Sequence, residues 1–368
     1  MIYYLFFWLL FALALMEVLP FNQGLGRATK RFLFSIMLLL MILFAGLRNE
    51  IGIDYFGYEG IYQAVRNGSL GLINRVIEPF MSILFKILPS FTLCVLVIAT
   101  MAIIVKESIF FKFNDKYVFT ALFFYYASEF LFYDMGIIRQ GLAIGICLLS
   151  IKYLKDKDIR FFALIFFATM IHISSAVFGI MWLVNNKEYS RKVYYGVPLA
   201  TLGLYMSGKI FTSILSPLMS GTSLIAGKIE KFSTYADADI TVSIIRRIAF
   251  LLLFVEIFKK DIAVVSNRGR FFKRESTENT WVYINMFFLS TVLLSFFGTI
   301  FSMVAGRMTE CFYISYIFLY MQIFSDRRKP IENIILFAIF SLLAFLTFED
   351  TIVSHNEIYL PYRSILGL

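Results

Sequence analysis

Four residues of this chain carry groups that could bind or move charge beside long apolar segments. Arg48 follows directly on one apolar run, and Arg139 opens another. Arg307 lies inside a third run, and His172 interrupts a fourth. A guanidinium presents a fork of N–H donors that matches phosphate oxygens, and an imidazole exchanges a proton near neutral pH. Such a set could hold a pyrophosphate and remove a proton from a hydroxyl group.

Arg139 gives the sharpest indication of a bound anion. It lies near the head of a strongly apolar helix and is followed by Gln140. A charged side chain deep in a membrane costs about 2.5 kcal/mol or more, so Arg139 needs an anionic partner. That partner is a carboxylate of the chain, Asp134 or Glu129, or a bound phosphate, which a helix N-terminus also attracts. We favour the phosphate and treat Gln140 as a further contact.

The residues after Arg48 form a second candidate site. An arginine at the end of an apolar helix could be only an anchor at the membrane interface. An anchor does not require the sequence Gly52-x-Asp54-Tyr55 beside it, and closely spaced glycines indicate a folded loop. Arg48 is therefore either an anchor or a ligand of the anion, within a loop that ends near Glu78.

Further charged residues lie in the second half of the chain. Arg307 and Glu310 are three residues apart, on one helix face, so they could pair with each other or contact a ligand. Arg246 and Arg247 lie near the outer end of an apolar segment and are further candidates for anion contact. Several arginines at one end of a helical bundle suit a pyrophosphate.

Membrane helices must position these side chains. Of 368 residues, 60% are hydrophobic and 16% are charged, against about 45–50% and 25% in soluble domains. Apolar runs near 18 residues read as spanning helices. We predict an all-α polytopic membrane protein, one transmembrane domain over 1–368 with about 10–12 transmembrane helices. The predicted spans are 2–19, 32–47, 80–105, 117–133, 137–154, 160–184, 193–210, 241–258, 280–297, 302–324 and 331–348.

Basic clusters between the apolar runs predict the sidedness, because short cytoplasmic loops are rich in Lys and Arg. The count of crossings satisfies this rule only if the segment 160–184 is a hairpin that turns near His172. The main extracytoplasmic loops are then 48–79 and 211–240, and the main cytoplasmic basic loop is 259–279. The clusters predicted to be cytoplasmic are Arg27/Lys30/Arg31, Lys106/Lys112/Lys116, Lys152/Lys155/Lys157/Arg160, Lys259 to Arg274, and Arg327/Arg328/Lys329.

The sequence lacks the signatures of several enzyme classes. It has no Gly-rich P-loop, no HExxH motif and no cysteine pair with zinc-ligand spacing. We expect no cofactor and no metal. The net charge of +9 comes from the short loops, and we expect no nucleic-acid partner.

These motifs together resemble the EpsG family of Wzy-like bacterial polysaccharide polymerases, from about residue 40 to the end. The strongest elements are the Arg-Gln pair at Arg139 and the His-x-Ser element at His172. The motifs that carry the resemblance are Gly46-Leu47-Arg48, Gly52-x-Asp54-Tyr55-x-x-Tyr58, Glu78-Pro79, Ile138-Arg139-Gln140-Gly141-Leu142-Ala143, Ile171-His172-x-Ser174-Ser175-Ala176, Arg307 and Pro361-Tyr362-Arg363.

The resemblance implies a reaction and a place in the cell. A growing glycan on undecaprenyl pyrophosphate is moved to the terminal sugar of another lipid-linked repeat unit. This happens at the outer leaflet of the bacterial cytoplasmic (inner) membrane, with the active site facing the periplasm or exterior and with a GT-C-like helical bundle as the fold. Membrane lipid and a chain-length regulator protein are the other expected partners. Residues expected to act are Arg48, Arg139 and Arg307 on the pyrophosphate, His172 or Asp54 as the base, and Tyr55, Tyr58 and Tyr62 on sugars.

Other functions remain open at this point. An O-antigen ligase performs the same chemistry on a different acceptor, lipid A core. A flippase or transporter of lipid-linked glycans is the alternative without chemistry, and needs access from both faces. A membrane acyltransferase needs access to cytoplasmic acyl-CoA.

Overall fold

The apolar segments of the chain are helical in the part that the computed structural model describes. That part covers residues 2–19, 26–68, 78–219, 240–267, 280–298, 302–325 and 330–367. The helices are α1 (Ile2–Val18), α2 (Arg27–Gly46), α3 (Tyr55–Arg66), α4 (Pro79–Ile87), α5 (Phe91–Phe113), α6 (Val118–Tyr125), α7 (Ile138–Ser150), α8 (Arg160–Ile171), α9 (Met181–Val184), α10 (Arg191–Met219), α11 (Thr241–Asn267), α12 (Thr280–Gly298), α13 (Ser302–Tyr313), α14 (Ser315–Ser325), α15 (Pro330–Ser354) and α16 (Asn356–Tyr359).

Four of these helices, α2, α5, α12 and α15, are long and apolar enough to cross a membrane. Shorter apolar helices such as α1 and α8 accompany them. The prediction of an all-α polytopic membrane protein is confirmed. The helix count of about 10–12 and the GT-C-like arrangement stay predictions.

Some predicted spans are wrong in their bounds. The segment 80–105 is two helices, because the chain breaks at Leu88–Ser90 and the Ser90 side chain accepts a hydrogen bond from the Leu93 amide at 3.2 Å. The segment 117–133 passes from α6 into a π-helix over Tyr126–Asp134. The loop predicted over 48–79 contains α3, a helix of 12 residues that is too short to be predicted as a span.

The described chain divides into two compact units. The first consists of Met1–Tyr153, Asp158–Ala176 and Tyr320–Leu368, and the second of Leu154–Lys157 and Val177–Leu319. The prediction of one domain over 1–368 stays a prediction. Aromatic rings join α1, α6 and α15 in the first unit: Phe7 lies 5.2 Å from Phe123 and 4.9 Å from Phe348, between ring centroids.

The segment 160–184 doubles back at His172. α8 ends at Ile171, His172 is extended (φ −151, ψ 118), and a 3₁₀ helix follows. The Asn185 side-chain amide then donates to the Leu154 carbonyl at 3.0 Å, so the chain returns to where it left. One continuous helix over 160–184 would separate its ends by about 37 Å. The structure therefore contains the hairpin that the charge pattern predicted.

Basic loops meet at one end of the first unit. The Lys30 ammonium donates to Glu17 at 2.7 Å and to the carbonyls of Asp115 and Lys116 at 3.1 and 2.7 Å. The first two basic clusters therefore lie together, as the predicted sidedness requires. Which side of a membrane they face stays a prediction.

Lys106 is an exception, and its assignment to a cytoplasmic cluster is wrong. It lies inside α5, is 1% exposed, and its Nζ is 2.6 and 2.7 Å from the two carboxylate oxygens of Asp134. A buried ammonium finds a carboxylate within the bundle because no water is available there.

In the second unit, the turn after the hairpin lies beside α11 and α12. The Asn285 amide donates to the carbonyls of Asn185 and Lys187, both at 2.8 Å, and Lys259 donates to the Tyr189 carbonyl at 2.9 Å. The turn therefore lies at the same end as the start of the basic loop 259–279. Parts of the predicted loops and clusters lie outside the described residues, namely 69–77, 220–239, 268–279 and 326–329.

Candidate functional site

The π-helix and the turn after it place Arg139 at the start of α7. Amide-to-carbonyl bonds five residues apart, Met135 to Phe130 at 3.1 Å and Ile137 to Phe132 at 2.9 Å, close this stretch. π-Helices are rare and occur preferentially at functional sites. The result is a tight turn from which α7 begins at Ile138.

The loop after α2 packs directly against this turn. Gly52 has φ +115, and a Cβ there would lie 2.1 Å from the Met135 carbonyl oxygen. Only glycine allows both the backbone conformation and the close approach. The glycine that marked a folded loop in the sequence therefore joins the Arg48 loop to the Arg139 turn.

Arg139, on α7, contacts groups from two other parts of the first unit. Its Nη1 pairs with the carboxylate of Glu78, the residue that precedes α4. The guanidinium carbon is 5.1 Å from the centre of the Tyr58 ring on α3, within the range of a cation–π contact. Arg139 is 17% exposed in its side chain and Glu78 14%. Neither carboxylate weighed from the sequence is the partner; Glu78, 61 residues away, is.

Asp54 and the tyrosines form the adjoining wall. The Tyr58 hydroxyl donates to an Asp54 carboxylate oxygen at 3.3 Å, and the Tyr55 hydroxyl donates to the Asn49 side chain at 3.4 Å. Burial raises the pKa of Tyr58 to about 12, against the opposing effect of Arg139. Tyr58 is therefore neutral at physiological pH and serves as a donor. Asp54, half-buried, is the group here able to accept a proton.

Arg48 is buried, with 2% exposure, and so is no interfacial anchor. Its Nε donates to the Ile51 carbonyl at 2.9 Å and Nη1 donates to the Ala45 carbonyl. Burial lowers its pKa to about 10, against the opposing effect of four nearby tyrosines, so it remains charged at neutral pH. The charge holds the end of α2 and the start of the loop together.

The C-terminal tail closes the same end of the first unit. Backbone bonds join Asn49 to Arg363 at 2.9 Å and Ile365 to Leu47 at 3.0 Å. The Tyr359 hydroxyl donates to the Leu131 carbonyl at 2.8 Å in the π-helix. The sequence shows the motif Pro361-Tyr362-Arg363 in this tail but not its pairing with the loop, because tail and loop are about 300 residues apart.

His172 lies at the same end of an antiparallel helix pair as Arg139. α7 and α8 pack side by side with a short connection, which makes them antiparallel. The start of α7 is therefore level with the end of α8. The ring of Phe80, two residues after Glu78, is 5.7 Å from that of Phe167 on α8. His172 is 5% exposed, and its Nδ1 is 2.7 Å from the Ser174 hydroxyl. Gln140 is buried, with 1% exposure.

The remaining candidates belong to the second unit. Arg247 is buried and donates to Glu310 at 2.8 Å, to Ser290 at 3.2 Å and to Thr309 at 3.1 Å. Its guanidinium carbon is 4.0 Å from the centre of the Tyr313 ring. Glu310 thus pairs with Arg247, a residue 63 positions away, and this pair replaces the predicted pairing with Arg307. Arg246 and Arg307 are both half-buried.

Metal ligation has no support within the described residues. No group of three or more His, Cys, Asp or Glu side chains there could hold a metal ion. The arrangement around Arg139 offers a charged donor, a neutral tyrosine and two possible bases. These groups suit binding of an anion and transfer of a proton.

Comparison with known proteins identifies a family but no individual relative. No curated protein and no solved structure matches the chain. The model of the EpsG family matches residues 31–364, nearly the whole chain, and this range includes Arg48, Asp54, Tyr58, Glu78, Arg139 and His172. The chain therefore belongs to the EpsG family, a family of Wzy-like polysaccharide polymerases.

Proposed function

We propose that this protein polymerises lipid-linked repeat units at the outer leaflet of the bacterial cytoplasmic membrane. A hydroxyl oxygen on the terminal sugar of the acceptor attacks the anomeric carbon of the donor glycan. The bond from that carbon to the pyrophosphate oxygen breaks, and undecaprenyl pyrophosphate leaves with the electron pair. A base on the protein takes the hydroxyl proton, so the step needs no external reductant or oxidant.

The position of Arg139 carries the proposal. Its side chain is largely buried yet 17% exposed, and its buried Nε has no hydrogen-bond partner among the described residues. Glu78 and the Tyr58 ring fix its orientation. A pyrophosphate contacted there gains a charge-assisted bond in a site of low dielectric, where charge on the leaving group is stabilised most.

Two residues are candidates for the base. Asp54 is linked to Arg139 through Tyr58, and His172 is level with Arg139 on the neighbouring helix. Tyr58 is not a third candidate, because its raised pKa keeps it protonated. In this proposal Arg48 holds the loop that carries Asp54, and its charge adds to the positive field around the pyrophosphate.

Polymerisation by the purified protein tests the proposal. Proteoliposomes receive a defined repeat unit on undecaprenyl pyrophosphate, and products are separated by size. We expect a ladder of lengthening glycans from the natural protein and, over the same reaction time, mostly single units from Arg139→Ala. Arg160→Ala is the matched control, since Arg160 pairs with Asp158 at the surface of the opposite end of α8. Transfer only to lipid A core would show a ligase instead, and movement of intact units across the bilayer a flippase.

A further inference from the structure

A cluster of ionisable side chains lies in the first unit and takes no part in the proposed reaction. Lys106 on α5 is bonded through Nζ to both carboxylate oxygens of Asp134, at 2.6 and 2.7 Å. The Tyr125 hydroxyl donates to the same carboxylate. All three side chains are at most 1% exposed. They therefore form a closed and electrically neutral network.

Glu107, the next residue on α5, is not part of that closed network. It is 0% exposed, and neither carboxylate oxygen has a hydrogen-bond partner among the residues that the structure describes. Lys106 and Asp134 interact with it electrostatically. Tyr125 lies within electrostatic reach of both Glu107 and Glu129. Lys106 on α5, Tyr125 on α6 and Asp134 in the π-helix are thus the titratable groups that act on Glu107 from these three elements.

The charges of the cluster do not balance if every group is ionised. Two carboxyl groups, those of Glu107 and Asp134, face the Lys106 ammonium, and Asp134 already binds that ammonium. An unpaired carboxylate in an apolar interior costs several kcal/mol, whereas a neutral acid that lacks a partner costs about 1–3 kcal/mol. Glu107 therefore needs a proton or a cation. A proton fits better, because the described residues contain no set of three ligands for a metal ion.

The cluster also touches the helix that carries Arg139. A Cβ placed on Gly141 would lie 2.9 Å from an Asp134 carboxylate oxygen, so this carboxylate packs against the first turn of α7. Asp134 ends the π-helix, an uncommon conformation that favours functional sites. A change of charge at the cluster is thus applied directly to the turn that positions Arg139.

We propose that the carboxyl group of Glu107, beside the Lys106–Asp134–Tyr125 network, is a proton-binding site within the membrane and holds an exchangeable proton. The proposal is independent of the polymerase assignment, since it concerns a charge state and not turnover.

Infrared spectroscopy of the full-length protein in lipid nanodiscs tests the site. A protonated carboxyl has a carbonyl stretch apart from that of a carboxylate, and the band shifts in D₂O if the proton exchanges. We expect such a band at neutral pH, its loss at high pH, and its absence from Glu107→Gln. Glu129→Gln is the matched control, a second buried glutamate of the same cluster, and should keep the band.

Three other results would contradict the proposal that Glu107 holds the proton. A band that persists in Glu107→Gln assigns the proton elsewhere. Loss of the band on adding Na⁺ at constant pH shows a cation site instead. Glu107→Met is a second variant, and thermal unfolding is measured for both. A neutral acid without a partner loses little on substitution, so failure of both variants to fold would mean that Glu107 makes a contact that the proposal denies.

Discussion

The guanidinium of Arg139 pairs with the carboxylate of Glu78 across 61 residues of chain, at the point where α7 and α4 both begin. The pair is largely but not fully buried, with 17% and 14% of the two side chains exposed. A pair of this kind can be a structural lock or an oriented ligand group. The two roles differ in what each single substitution does to binding and to stability.

Substitution of the two partners separates these roles. We expect Arg139→Ala to slow polymerisation roughly ten- to a hundredfold, because a lost charged contact is worth about 1.5–3 kcal/mol. Arg139→Lys should restore little, since a point charge does not reproduce the fork. Glu78→Gln should raise KM and change kcat less, because Arg139 keeps its charge but loses its orientation. Initial rates on a defined lipid-linked unit measure both. Equal loss from Arg139→Ala and Glu78→Gln, matched by equal loss of thermal stability, would indicate a structural lock.

Gly52 offers a second test, of the contact between the loop and the Arg139 turn. Gly52→Ala forces a Cβ against the Met135 carbonyl at a φ of +115, which should cost at least about 1–3 kcal/mol. We expect a lower unfolding temperature in detergent and weaker polymerisation.

Gly60 provides the matched control on the same loop. A Cβ at Gly60, inside α3, meets nothing within 4 Å. Gly60→Ala should therefore stabilise by about 0.5–1 kcal/mol, the ordinary gain of alanine over glycine in a helix. The opposite signs make the comparison informative. A neutral Gly52→Ala would show that the loop does not pack on the turn.

Local chemistry made part of this site predictable from sequence. Charged residues beside apolar runs are costly, so Arg139 and His172 were conspicuous, and the excess of basic residues in short loops led to the hairpin. Gly52 indicates a folded loop, because an arginine that only anchors the helix end does not require the sequence Gly52-x-Asp54-Tyr55 beside it. Each of these signals lies within a few residues of the position that it concerns.

Long-range pairing explains what sequence reasoning missed. Arg139 has Glu78 as its partner, and Asp134 has Lys106, since charged groups pair with whichever opposite charge the bundle brings close. Spacing along one helix cannot reveal such partners. Lys106 looked like part of a basic loop because Lys112 and Lys116 follow it, yet α5 continues to Phe113 and keeps it inside.

The sidedness of the hairpin is testable by cysteine labelling. The three native cysteines are buried, so background labelling of intact cells should be low. Lys187→Cys places an exposed thiol in the turn after the hairpin, and only the backbone of Lys187 is used by Asn285. We expect an impermeant maleimide to label it only after the membrane is opened. Asn67→Cys, exposed in the first outer loop, should be labelled in intact cells. Labelling of both cysteine variants in intact cells would place the turn outside and contradict the predicted topology.

The pair of Arg247 and Glu310 makes a different prediction, about the second unit. Both side chains are buried, at 5% and 10% exposure, and each leaves an uncompensated charge if the other is removed. Glu310→Leu or Arg247→Met alone should each destabilise by about 3–5 kcal/mol. The double variant Arg247→Met/Glu310→Leu should cost much less than the sum, since no buried charge remains. Thermal unfolding of the four proteins gives this coupling. If the pair also binds substrate, as the sequence predicted, the double variant will fold yet show a raised KM; unchanged kinetics would leave the pair a purely structural element.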